Sequence, residues 1–302
     1  MTLTLWQNQA KRKIKVNQNS NLEIDLNDIS ETAIIMVLCH VRDAYSNNPI
    51  LNDQSAIEVI NHLQSLNFTE NKKLQRLLKS QRISPFLSQL IVARALYYDR
   101  CCARFLDKHP NGNIVNMGCG LDLRYQRIKQ TSKSQFIDID LPKIIDIKND
   151  ITAETGNYKM IGQSVFDHSW MKDINSEDVL FLAEGLFMYC NEADIRNLFE
   201  EIAQRFPKAE MVCELTHKIY ASRLMHIISK PSLQFQYGIG SDAAFKFGVR
   251  HSRDLETWHK DILWIKDRSF LEVESHKAPL INVMKYLPLA NRQIWTAHYS
   301  FG

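Results

Sequence analysis

Between residues 113 and 216, short apolar runs alternate with stretches of helical spacing, and this alternation constrains the fold more than any other feature of the chain. NIVNMG (113–118), QFIDID (135–140), MIGQSVFD (160–167), DVLFLAEGLFMY (178–189) and AEMVCELT (209–216) each read as, or contain, a strand. The first runs into a glycine, and Leu141-Pro142 halts the second. Asn191 stands where it can cap a helix bearing Ile195, Leu198, Phe199, Ile202 and Phe206. Strands that are apolar on both faces belong to buried parallel sheets, whose helical crossovers are right-handed. The chain therefore reads as an α/β protein with a mostly parallel sheet. WIKDRSFLEVESH and RQIWTAHYSFG add two late strands that can form an antiparallel edge.

The first hundred residues read as helical. Asp28 and Glu31 have capping-box spacing ahead of ETAIIMVLCHVRDAY, in which Ile35, Leu38 and Tyr45 recur at roughly helical intervals. Asp53 can cap a second helix carrying Ile57, Ile60 and Leu63. Ser84-Pro85 starts a longer one, which His109-Pro110-Asn111-Gly112 stops after Lys108. The expected organisation is an N-terminal helical cap over residues 1–108 and a sheet-bearing core over 109–302. Residues 217–260 interrupt that core as an aromatic-rich lid. There Tyr220, Phe235, Tyr237, Phe245 and Phe247 serve either as an apolar wall for a substrate or as packing.

Charge and cysteine usage exclude several function classes. Thirty-seven basic residues face 34 acidic ones, a balance too even for a nucleic-acid footprint. No apolar run approaches the roughly 18–20 residues of a membrane span, and the N-terminus lacks the order of a signal peptide. The six cysteines include no C-x-x-C pair, and the ten histidines no H-E-x-x-H. Buried thiols in a reducing cytoplasm are expected, with no metal site.

The chemistry-bearing residues lie near the strand ends. Gly118 and Gly120 form a strand-to-helix turn where backbone can approach a ligand closely. A dinucleotide fingerprint would place a third glycine at position 123, which is Leu123. Asp140, twenty residues beyond Gly120, can accept hydrogen bonds from both ribose hydroxyls of an adenosine. Asp138, on the same strand face, competes for that role. Glu184 sits inside an apolar segment, so it either pairs internally with a cation or lies at the mouth of the sheet. Arg94 falls on the apolar face of its helix, and its partner is Asp122, an amino-acid ligand or, through snorkelling, solvent. Asp167 can accept from the exocyclic amine of adenine.

NIVNMGCGLDLR, FIDIDLP, SVFD and AEGLFMY, in this order and spacing, resemble the leucine carboxyl methyltransferase family, which includes bacterial polyketide carboxyl O-methyltransferases. The likeness spans about residues 84–216 and includes VAR (92–94) with Asp99 following. It implies a Rossmann-like class I sheet that binds S-adenosyl-L-methionine. It also implies that Arg94 holds the methionyl carboxylate, Glu184 the amino group and Asp140 the ribose. Gly118, Gly120 and Asp122 would line the cofactor, and Phe166 and Asp167 would address the adenine. Cys119 and Leu123 replace a usual alanine and threonine. The expected activity is O-methylation, with a carboxylate of a small molecule or peptide as acceptor and no assigned catalytic side chain. His168 and His217 lie near expected strand ends, where a base for a hydroxyl acceptor would stand. An NAD(P)-dependent oxidoreductase and a non-catalytic cofactor-binding protein are the rival readings.

Overall fold

A computed structural model of the chain describes residues 31–66, 72–128, 133–221, 245–269, 272 and 293–302. Four helices come first: α1 Glu31–Ala44, α2 Ser55–Ser65, α3 Lys72–Ser80 and α4 Pro85–Lys108. Then follow β1 Asn113–Met117, the one-turn helix α5 Arg124–Arg127, β2 Gln135–Asp140, α6 Pro142–Ile151 and β3 Tyr158–Gly162. β4 Val179–Ala183, α7 Glu192–Arg205, β5 Glu210–Thr216, β6 Ile262–Ser269 and β7 Ile294–Phe301 complete the elements that matter here.

The seven strands form one sheet in the order β3-β2-β1-β4-β5-β7-β6. β1 lies parallel to both β2 and β4, and the order reverses at this point. Ligands bind beyond the carboxyl ends of the strands at such a switch point. β7 runs antiparallel between β5 and β6. The two late strands are thus the expected antiparallel element, with the last one inserted inside the edge.

Side chains that alternate along the strands divide the core in two. Val115, Ile137, Phe181 and Met211 face one side, where α7 contributes Ile195, Leu198, Phe199 and Ile202. Ile114, Phe136, Leu180 and Val212 face the other, where α4 lays down Tyr98, Cys102 and Phe105. Each such side chain contributes about 1.5–3 kcal/mol by leaving water. α1 and α2 form a third cluster through Val37, Leu38, Val59 and Leu63, and this cluster also takes in Leu121 and Leu123. The helical region is therefore anchored on the loop that follows β1. At position 123 the side chain is a packing residue, where a dinucleotide fingerprint would have glycine.

Local signals explain most boundaries. Asp53 accepts from the backbone of Ser55 at 3.1 Å and of Ala56 at 3.4 Å, so it does cap α2. α4 runs over the expected span, with proline in its first turn, and ends where His109 N–H reaches Phe105 O at 2.8 Å. Leu141-Pro142, read as a stop, is also the start of α6, since a proline fits a first helical turn. The strand expected over 160–167 is shorter and earlier: β3 ends at Gly162. Beyond it Asp167 N–H donates to Ser164 O in a turn. Asn191 precedes α7, but its amide bonds Asp194 Oδ2 rather than the backbone. α3 was not anticipated. Asp28 and most of the expected lid, with Phe235 and Tyr237, lie outside the described residues. Of the proposed aromatic wall, Phe247 is a core residue packed on Trp258. Phe245 meets Tyr189, with ring centroids 5.6 Å apart.

Candidate functional site

The turn after β1 places backbone, not side chains, at the sheet's mouth. Gly118 has φ 62° and Gly120 φ 55°, the left-handed region that side-chain-bearing residues adopt at a cost. A Cβ on Gly118 would also meet Leu186 Cδ1 at 2.8 Å. On Gly120 the same position has only Ala33 Cβ within 4 Å among the described residues, at 3.8 Å, so no described side chain crowds the backbone there. The N–H of Gly118 donates to Ile139 O at 2.8 Å and that of Gly120 to Asp140 Oδ2 at 2.7 Å. Asp140 Oδ1 accepts from Leu141 N–H at 2.7 Å. Burial pushes the Asp140 carboxyl up, against the pull of these two amides.

Asp138 is differently disposed. It is fully buried and bound by Lys148 Nζ at 2.7 Å, Tyr158 Oη at 2.7 Å and Asn116 Nδ2 at 2.9 Å. These partners hold Asp138 inside the core, whereas Asp140 is only partly buried and is bound by two backbone amides at the end of β2.

Beyond β4 the chain turns at Gly185 (φ 64°), and here Glu184 enters a buried ionic network. Its Oε1 accepts from Arg94 Nε at 2.7 Å and its Oε2 from Arg124 Nη2 at 2.5 Å. Arg94 Nη1 donates to both oxygens of Glu214 at 2.9 Å, and its Nη2 lies 3.0 Å from Met36 Sδ. Arg124 continues to Asp99 at 2.7 Å and Asp122 at 3.2 Å. Arg127 then joins Asp99, Asp122 and Asp53, the last of which meets His40 Nδ1 at 2.9 Å.

The electrostatics of the carboxylates diverge. Burial raises Glu184, but Arg94 and Arg124 outweigh it and hold the group below its ordinary range. Asp122 goes the same way: burial opposes ionisation, and Arg127 and Arg124 prevail. Glu214 moves up, because burial dominates and Arg94 only partly opposes it, with Glu184 adding repulsion. His40, Asp53 and Asp122 also lie close enough together to be potential metal ligands. Arg127 Nη1 sits 2.7 Å from Asp53 and 2.6 Å from Asp122, so a guanidinium already serves as the cation there.

Of the residues expected from sequence, Arg94 and Glu184 are directly paired, and Asp122 joins them through Arg124. Gly118 and Gly120 lie in the turn after β1, where the Gly120 N–H meets Asp140 at the end of β2. Arg94's carboxylate partners are Glu184 and Glu214; Asp122, considered for that place, belongs to Arg124 and Arg127. Phe166 is half-buried against the core. Asp167 is exposed and caps the 3-10 turn His168–Asp173, accepting from Ser169 N–H at 3.1 Å. Glu214 was missed, although the same signal that marked Glu184, a lone acid in an apolar run, stands in MVCELT. Arg124 and Asp99 were noticed as motif letters only, and Arg127 not at all.

The model of the leucine carboxyl methyltransferase family matches residues 33–203. The S-adenosyl-L-methionine-dependent methyltransferase dpfgK of Gibberella zeae is 30% identical over 195 residues, which cover 61% of this chain and 63% of that protein. The chain thus spans somewhat under two thirds of this relative's length. The tetracenomycin polyketide synthesis O-methyltransferase TcmP of Streptomyces glaucescens is 25% identical over 238 residues, covering 78% and 84%. In fold, a methyltransferase candidate from Thermobifida fusca superposes with a TM-score of 0.55 at 10% identity, covering 94% of this chain and 99% of that one. With over half its length matched by the family model, the chain belongs to the leucine carboxyl methyltransferase family.

Proposed function

We propose that the chain is an S-adenosyl-L-methionine-dependent O-methyltransferase whose acceptor is a carboxylate of a small molecule or peptide, so that its product is a methyl ester. The observation that carries this reading is the buried Arg94–Glu184 pair at the carboxyl end of β4, beside the Gly118–Gly120 turn. An amino-acid end group bears one charge of each sign, and this pair offers one of each in return; a dinucleotide has no such zwitterion. Arg94 would hold the carboxylate and Glu184 the ammonium. Asp140 would take the ribose hydroxyls, with Gly118, Gly120 and Asp122 lining the cofactor and Phe166 and Asp167 at the adenine. Among the described residues, nothing but Ala33 Cβ stands within 4 Å of a Cβ position on Gly120, which is in keeping with a ligand approaching the backbone there.

When bound, the cofactor supplies an activated methyl group on a sulfonium. The protein's part is to fix donor and acceptor in line and keep water out, and positioning of this kind contributes up to about 7–11 kcal/mol. A carboxylate acceptor has a pKa of about 4 and needs no base. Oxygen as the acceptor atom is supported by the Streptomyces glaucescens relative, an O-methyltransferase by name. A hydroxyl acceptor is a second reading, favoured by His168, whose Nε2 is buried without a hydrogen-bond partner among the described residues. Residues 217–260 would choose the acceptor. We place the protein in the cytoplasm, with neither nucleic acid nor membrane as partner. All six cysteines are free and five are buried, and no described helix is long and apolar enough to cross a membrane.

The test has two stages. S-adenosylhomocysteine should raise the melting temperature and NAD should not; the reverse result overturns the cofactor assignment. With candidate acceptors and labelled cofactor, the transferred methyl should leave as methanol in mild base. A label that survives the base rules out the ester.

A further inference from the structure

Glu214 is a buried carboxylate that no step above uses, and its situation differs from that of Glu184. Both contact Arg94. Glu184 is also bound by Arg124, whereas Arg94 is the one cation paired with Glu214 among the described residues. From α4, Arg94 and Tyr98 face Glu214; from the segment after β4, Glu184, Tyr189 and the Gly185 N–H do so, and Cys213 adjoins it on β5. Apart from Arg94 and the Gly185 amide, every one of these groups is neutral or anionic. Among the described residues, the connected network sets five carboxylates against three guanidinium groups.

If Arg94 receives the cofactor's carboxylate, as the reading above requires, three carboxylates meet on one guanidinium. The ammonium of the ligand answers Glu184, not Glu214. Two ionised groups sharing a site repel, and one of them protonates. Among the described residues, Glu214 is paired with fewer cations than Glu184 and is fully buried. We propose that Glu214 is a cofactor-site residue that takes up one proton as the cofactor's carboxylate docks on Arg94, yielding its share of the guanidinium. The proton comes from solvent buffer and ends on a Glu214 carboxylate oxygen; no other bond changes. Glu214's upward shift before any ligand arrives is in keeping with this role. Because the complex then holds more protons than the free protein, affinity is full below the free-state pKa of Glu214 and is lost as pH rises through it.

The experiment is titration calorimetry of the whole chain with S-adenosylhomocysteine at pH 7, in buffers of different ionisation enthalpy. The wild type should take up about one proton more than Glu214→Gln, an isostere of the protonated acid. Its affinity should also fall about tenfold more per pH unit than the variant's. The ligand's own titration is common to both proteins and cancels. Within the wild type, methylthioadenosine, which lacks the amino-acid end, should bind without the extra proton, a comparison that needs no variant. Tight binding with equal proton counts would overturn the proton exchange alone. Failure of S-adenosylhomocysteine to bind either protein would overturn the cofactor assignment and this inference with it.

Discussion

Replacing Glu184 by glutamine keeps the shape of the side chain and removes its charge. In the structure that charge is shared between Arg94 Nε at 2.7 Å and Arg124 Nη2 at 2.5 Å. Removing one partner of a buried ion pair costs about 3–5 kcal/mol. Here the loss should sit at the low end, because the amide oxygen still accepts one hydrogen bond. Arg94 also keeps Glu214, and Arg124 keeps Asp99 and Asp122. The protein should therefore remain folded but lose about 3 kcal/mol in denaturant titration. Cofactor binding should suffer separately. A charge-assisted hydrogen bond to the ligand's ammonium is worth about 1.5–3 kcal/mol. The Kd for S-adenosylhomocysteine should accordingly rise roughly ten- to a hundredfold. Methylthioadenosine has no ammonium, so its Kd should stay within about twofold of wild type, given the error of such comparisons. Calorimetry with both ligands separates the outcomes. An equal loss for the two would refute a direct ammonium contact and make Glu184 a structural ion-pair residue.

Acid should weaken the fold through the same network. Asp122 and Glu184 both have folded-state pKa values below their unfolded ones, once the arginines overcome burial. Their contribution is present above the unfolded pKa values of about 4–4.5 and is lost as pH falls through the folded ones. Denaturant midpoints between pH 7 and pH 3 should therefore drop, and Asp122→Asn should flatten that drop; an unchanged profile would count against the ionised network. Gly118→Ala should cost about 1–2 kcal/mol through its positive φ, with a further clash on Leu186. The double variant Gly118→Ala, Leu186→Ala should not recover the backbone share, and full recovery of the melting temperature would show that sterics alone govern the turn.

The layers of this protein were legible in the sequence because their causes are local. β4 is a continuous apolar run, and α4 carries its own start and stop in Ser84-Pro85 and His109-Pro110. Their register and neighbours follow from period and connection rules. Glycine at 118 and 120 and acid at 140 and 184 were visible for the same reason, since each breaks the pattern of the run it ends. Position 167 shows the limit: Asp167 was noticed, but strand β3 stops at Gly162 because a turn formed by Ser164 competes with the sheet. What the sequence did not contain was the pairing. Asp138 and Asp140 are equivalent by strand period, and only the approach of Lys148 and Tyr158 from α6 and β3 engages one and leaves the other at the turn. Arg94 and Glu214 are 120 residues apart, and nothing in either segment names the other. Which carboxylate meets which cation depends on how α4 lies across the ends of β4 and β5, and that is decided by packing between elements distant in the chain.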